Sequence, residues 1–185
     1  MFFKAIILFL IAFQIQARDT SLHNRVAYQV SQTYLTKSGI PQKYDNSELK
    51  TIRLNRSWRG SDKQGFTYLN EEERAHYQVD FKNGLIVNSK GHTLDSGNSE
   101  FIFILDKDKR LLISARYRPN LFEHHSLVAG EDVYAAGKIR ISRGKVTYIN
   151  DFSPQYPKRS NQNLNKVIQI LRENNATHNL KAIYQ

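Results

Sequence analysis

The sequence predicts an α+β fold: a mostly antiparallel β-sheet of five to seven strands flanked by an N-terminal and a C-terminal helix. From His76 onward, apolar residues recur at period two in short runs, separated by turn residues at Asn83-Gly84, Asp106–Lys109 and Arg143-Gly144. Alternation of this kind puts one face of each strand in a core and the other toward solvent. Two stretches break the pattern with helical spacing. Leu22, Val26, Val30 and Tyr34 recur every four residues, and Leu164, Val167, Ile168 and Leu171 occupy i, i+3, i+4 and i+7.

The first helix is expected after Ser21, whose hydroxyl can cap it, and before Gly39-Ile40-Pro41, which stops it. Residues 41–75 are polar and weakly periodic, with a basic cluster of Arg53, Arg56 and Arg59 around Trp58 and an acidic run at Glu71–Glu73. They read as a loop with one short element. Tyr77, Val79 and Phe81 then alternate up to Asn83-Gly84, the strongest hairpin dipeptide, and Leu85–Val87 returns. Phe101–Leu105 is an apolar run short enough to be a core strand, paired across the Asp106–Lys109 turn with Leu111–Ile113. A third hairpin joins Val133–Ser142 to Lys145–Asn150 through Arg143-Gly144. The helix over Ser160–Asn174 closes the sheet, and Leu180–Tyr184 is expected to add an edge strand.

The first 17 residues predict a leader. Met1–Lys4 is a short positive start, Ala5–Phe13 an apolar stretch, and Gln14–Ala17 ends in a small residue before Arg18-Asp19. Residues 1–17 are therefore expected to be a signal peptide cleaved after Ala17. Residues 18–75 are expected to form the N-terminal helix and polar loop, and residues 76–185 a β-rich core with its closing helix, as one compact domain. A secreted or periplasmic location follows, with no transmembrane segment after cleavage. The chain has no cysteine, which removes thiol nucleophiles, thiolate metal sites and disulfides, and the combination leans bacterial. Its net charge of +10 favours an anionic macromolecule or an acidic protein surface as partner.

Polar and turn residues cluster in Phe122–Gly130, Ala135–Gly137 and Ser153–Pro157. A histidine beside a hydroxyl can act as its base, so His124 and Ser126 are the candidate catalytic pair, with Glu123, Glu131 or Asp132 available to hold the imidazole. On a strand, His124 and Ser126 share a face and His125 opposes them. The alternative is that His124 bonds backbone in the turn before Ala129-Gly130. Adjacent histidines without a spaced third ligand do not make a metal site. Gly130 and Gly137 suggest bulges or close backbone approach. Ser153 and Tyr156, with Lys158 beside them, precede a helix N-terminus where an anion can bind.

The succession of the Asn83-Gly84 hairpin, Phe-Ile-Phe-Ile-Leu105, Phe122-x-His124-x-Ser126-Leu-x-Ala-Gly130, Ala-Ala-Gly137, Gly144-Lys-Val-x-Tyr-Ile149 and Ser153-x-x-Tyr156 resembles a known module. It is similar to a domain of plant IQ-motif calmodulin-binding proteins and of C-terminal regions of bacterial polymorphic toxins and effectors. In that family a His-Ser-Ser segment and a Ser-Gly-His-Tyr segment bracket a strand-turn-strand. Here His125 replaces the first serine of the pair, and Pro154-Gln155 replace Gly-His. The resemblance covers about residues 76–175. No IQ motif occurs in the chain, so calmodulin is not an expected partner. The toxin side implies a secreted effector or toxin-like protein acting on a host or competitor macromolecule by transfer of ADP-ribose from NAD. Arg116 or Arg118 would then meet the pyrophosphate, Tyr117 and Tyr156 the nicotinamide, and Ser126 the ribose. The alternative is a non-catalytic secreted binding module for an acidic protein surface, glycan or nucleic acid.

Overall fold

The structure is a computed structural model of the chain, and it describes residues 33–35, 41–43, 49–55, 57 and 65–184. The expected leader, most of the expected first helix and the basic cluster at Arg56–Arg59 lie outside the described residues. The chain divides into two units at Ser47/Glu48. The first holds two short antiparallel strands, β1 (Thr33–Leu35) and β2 (Pro41–Lys43). Residues 33–35, expected at the end of the first helix, are thus extended and paired. The second unit carries every other described element.

Its centre is a five-stranded sheet in the order β6-β5-β7-β8-β9, built from β5 (Phe101–Asp106), β6 (Leu111–Ser114), β7 (Val133–Ser142), β8 (Lys145–Asn150) and β9 (Thr177–Ile183). The fold class is as the sequence predicts. The β7–β8 pair turns through Arg143 and Gly144, both at positive φ, which matches the right-handed twist of the strands it joins. Asn83 and Gly84 do the same for a small hairpin of β3 (Asp80–Lys82) and β4 (Leu85–Val87). Only the last pairing is parallel: β9 runs alongside β8 after a helical crossover.

That crossover is α2 (Asn161–Glu173), capped by the Ser160 hydroxyl on the Gln162 N–H at 3.1 Å. It buries Leu164, Val167, Ile168 and Leu171, its one apolar stripe, and packs against β7. Each of these side chains contributes roughly 1.5–3 kcal/mol of burial. A short helix, α1 (Glu71–Ala75), opens with a capping box in which Asn70 Oδ1 accepts from Glu73 N and Glu73 Oε2 accepts from Asn70 N.

One core cluster joins Ile102 and Ile104 of β5, Leu112 of β6 and Ala136 of β7 to Leu69, Phe122, Leu127, Val128 and Tyr156. The polar-rich segments singled out in the sequence therefore meet the sheet at this cluster. They form part of the interior of the domain.

Candidate functional site

Phe122–Gly130 is a buried single turn of 3-10 helix (His124–Val128), where strand alternation was expected. The cause is local. Ser126 N–H donates to the Glu123 carbonyl at 3.0 Å, and Ser126 Oγ accepts from Glu123 N at 3.1 Å, which winds the chain at i+3. Ala129 and Gly130, at φ 48° and 77°, end the turn in the left-handed region. All five residues of the turn are buried, so His124, His125 and Ser126 do not divide between two faces of a sheet.

His124, 1 % exposed, is gripped from two sides. Its Nε2 lies 2.9 Å from the Gly137 carbonyl and its Nδ1 lies 3.2 Å from Gln155 Oε1. Gln155 in turn donates through Nε2 to Glu123 Oε2, and the other oxygen of Glu123 accepts from Asn120 N at 3.0 Å. The carboxylate expected to hold the imidazole is thus present, acting through the Gln155 amide. Burial drives the pKa of His124 down to about 4, against the opposing effect of its bonds to Gly137 and Gln155. The ring is neutral near pH 7 and has one N–H to give, which the nearer Gly137 carbonyl takes.

The Gly137 carbonyl is free for this bond because β8 turns away at Asn150–Asp151, so tightly that a Cβ on Gly137 would stand 1.9 Å from the Asn150 carbonyl oxygen. Glycine is required here by a close approach of two backbones. Gly130, in contrast, is needed for its positive φ; a Cβ there would meet only Leu54 Cδ2 at 3.4 Å.

The structure separates the predicted site residues into two sets. His124, Ser126, Ser153 and Tyr156 are buried. His124 turns both ring nitrogens to Gly137 and Gln155, and no hydrogen bond joins it to Ser126. Ser153 Oγ accepts from Tyr156 N at 3.3 Å, and the Tyr156 hydroxyl donates to the Glu131 carbonyl at 2.7 Å. Burial, the largest influence, pushes the Tyr156 phenol far up its range. These groups satisfy one another and present no reacting atom to solvent.

The second set, Arg116, Tyr117, Arg118 and Lys158, is exposed. Arg116 stacks over the Phe122 ring at 4.7 Å, and Lys158 approaches Asp151 at 3.8 Å. Lys158 also borders a shallow depression with Ala135, Asp151, Tyr156, Ser160 and Leu164. The N-terminal turn of α2 is already capped there by Ser160, and Asp151 brings a carboxylate where an anion was expected. The residues assigned to NAD are divided between interior and surface, so ribose and pyrophosphate contacts do not share an opening. Among the described residues, no group of three or more His, Asp or Glu is placed to hold a metal ion. No described helix is long and apolar enough to cross a membrane.

Sequence reasoning missed the partners of His125. Its ring is enclosed between Phe66 at 4.7 Å and Tyr68 at 5.5 Å, both edge-on. The signal was the alternation Phe66-Thr67-Tyr68 inside a stretch that reads as loop. Thr67 N–H bonds to the Leu121 carbonyl and Leu69 N–H to the Ser126 carbonyl, tying that stretch along the 3-10 turn. Arg74, 7 % exposed, gave no signal at all; it reaches Glu131 Oε1 at 3.0 Å.

Comparison with known proteins places this network in a family context. Residues 73–164 match the IQ motif-containing protein middle domain. The chain is similar to IQ domain-containing protein IQM5 of Arabidopsis thaliana, 29 % identical over 70 % of this chain and 26 % of the relative. It is similar to IQM4 of the same plant, 30 % identical over 61 % of this chain and 21 % of the relative, and to IQM3, 29 % identical over 60 % and 25 %. The chain thus spans about a quarter of the length of the curated relatives it matches. No solved structure matches. The resemblance to IQ-motif proteins therefore stands.

Four expectations are corrected by these matches. The relatives are plant IQ domain-containing proteins, none named as a toxin or effector, which overturns the toxin-like role with its ADP-ribosyl transfer and the secreted binding-module alternative. It likewise overturns the bacterial assignment and the secreted or periplasmic location. The exclusion of calmodulin falls too, because it rested on the missing IQ motif alone and each relative is named for its IQ domain.

Proposed function

We propose that this chain is a calmodulin-partnered module of the IQ-motif middle-domain type, in which the motif residues are architecture and the surface does the binding. The observation that carries this reading is the match of residues 73–164, which includes the whole His124–Gln155–Glu123 network, to the IQ motif-containing protein middle domain. The motif histidine is enclosed and bonded on both nitrogens. Ser126, beside it, is committed to its own helical turn. Such groups hold three segments in register: the 3-10 turn, β7 and the Ser153–Tyr156 loop. The chain's net charge of +10 suits an acidic partner.

Titration of the purified full chain with calmodulin, in excess calcium and again in chelator, tests the proposal. Saturable binding in at least one state, weakened by added salt, is expected. Absence of binding in both states at low ionic strength overturns it.

A further inference from the structure

The open end of the sheet carries a surface that the buried network does not use. Residues in register on neighbouring strands share a face, and Arg140 of β7, Tyr148 of β8 and Lys181 of β9 stand side by side in this way. Lys138 faces the same direction, in register with Asn150. Its ammonium is held between two aromatic rings, 5.5 Å from Phe152 and 6.0 Å from Tyr117. The guanidinium of Arg140 lies 4.9 Å from the Tyr148 ring. One carboxylate, Glu100, serves both cations, at 3.0 Å from Arg140 and 3.6 Å from Lys138.

Phe152 and Tyr117 are 40 % and 41 % exposed, among the few large apolar side chains this protein leaves to water. Paired aromatic rings interleaved with cations, and one acid already neutralised, make a surface that is apolar at its centre and positive around it.

We infer that the Tyr117–Phe152 pair and the cations Lys138 and Arg140 form the contact face for a calcium-loaded lobe of calmodulin. The inference rests on the calmodulin reading above and adds the surface and the calcium state. Charge and shape argue for this occupant. A calcium-loaded lobe opens a methionine-rich apolar groove, into which two neighbouring rings can insert. Its acidic surround complements Lys138, Arg140 and the exposed Lys181. Without calcium the groove closes and the rings lose their seat, so the face predicts calcium dependence, which net charge alone does not.

The experiment compares calmodulin binding by the full chain and by three variants, with unfolding midpoints confirming that each is folded. The wild type is expected to bind in calcium at least tenfold more tightly than in chelator. Phe152→Ala with Tyr117→Ala, and Lys138→Glu with Arg140→Glu, are each expected to weaken binding at least tenfold. Lys90→Glu, an exposed charge change in the β4–β5 connection, is expected to leave it within about twofold. No wild-type binding overturns both this inference and the calmodulin reading. Wild-type binding that the face variants leave intact, or that Lys90→Glu weakens equally, overturns the face alone. Capture of a single-stranded oligonucleotide by the same face in place of calmodulin also overturns it.

Discussion

Replacing Gly137 with alanine tests whether the polar network is architecture. The added Cβ would lie 1.9 Å from the Asn150 oxygen, 2.9 Å from its carbonyl carbon and 3.0 Å from Asp151 Cα. All three are backbone atoms and cannot rotate away. Relief requires β7 and β8 to part beside the Lys138–Asn150 pairing, or the Gly137 carbonyl to swing off His124 Nε2. Overpacking of this kind costs about 1–3 kcal/mol, and orphaning a buried hydrogen-bonding group a further 1–3 kcal/mol or so. A total of roughly 3–5 kcal/mol is a third or more of the stability of an ordinary domain. For a unit of roughly 140 residues it lowers Tm by about 10–17 °C. Thermal and urea unfolding of the variant read this directly. Gly130→Ala serves as the control, since its Cβ finds ordinary contact and the cost is only about 1–2 kcal/mol for a left-handed residue. A Gly137→Ala protein within about 1 kcal/mol of wild type, or no weaker than Gly130→Ala, would refute the close-approach argument.

Acid should loosen the domain through its histidines. Burial holds His124 and His125 down to about 4, below the ordinary 6.5, so between those values the unfolded chain takes up protons that the folded chain refuses. Their stabilisation is complete above pH 6.5, declines as pH falls, and is gone below about 4; for one enclosed ring it amounts to roughly 3 kcal/mol. Urea midpoints at pH 7 and pH 4.5 check this, and equal midpoints would show that neither ring is held neutral. Tyr156→Phe removes the donor to the Glu131 carbonyl and should cost about 1–2 kcal/mol in denaturant unfolding; an unchanged midpoint would mean the hydroxyl carries no net bond.

Local chemistry made the hairpins legible. Asn83-Gly84 and Arg143-Gly144 take positive φ and join adjacent strands as their residue types demand. The stripe of Leu164, Val167, Ile168 and Leu171 required a sheet to cover, and α2 lies on one. The 3-10 turn was not legible, because His-His-Ser-Leu-Val has no periodicity short enough to distinguish a single tight turn from a strand. What winds it is a side-chain bond from Ser126 back to Glu123. The enclosure of His125 depended on Phe66 and Tyr68, nearly sixty residues earlier in the chain, a separation at which pattern carries no information.

The sequence by itself determined the fold class, the turns, the closing helix and the segments in which the polar residues gather, because each of those is set by dihedral preference and by apolar spacing within a few residues. Only the tertiary structure decided what those polar residues do. Whether His124 meets a hydroxyl, a carbonyl or water depends on which backbones cross beside it, and the approach of Asn150 to Gly137 turned the carbonyl inward and enclosed the ring. The same packing placed Tyr117, Phe152, Lys138 and Arg140 outside, where burial no longer fixes their partners.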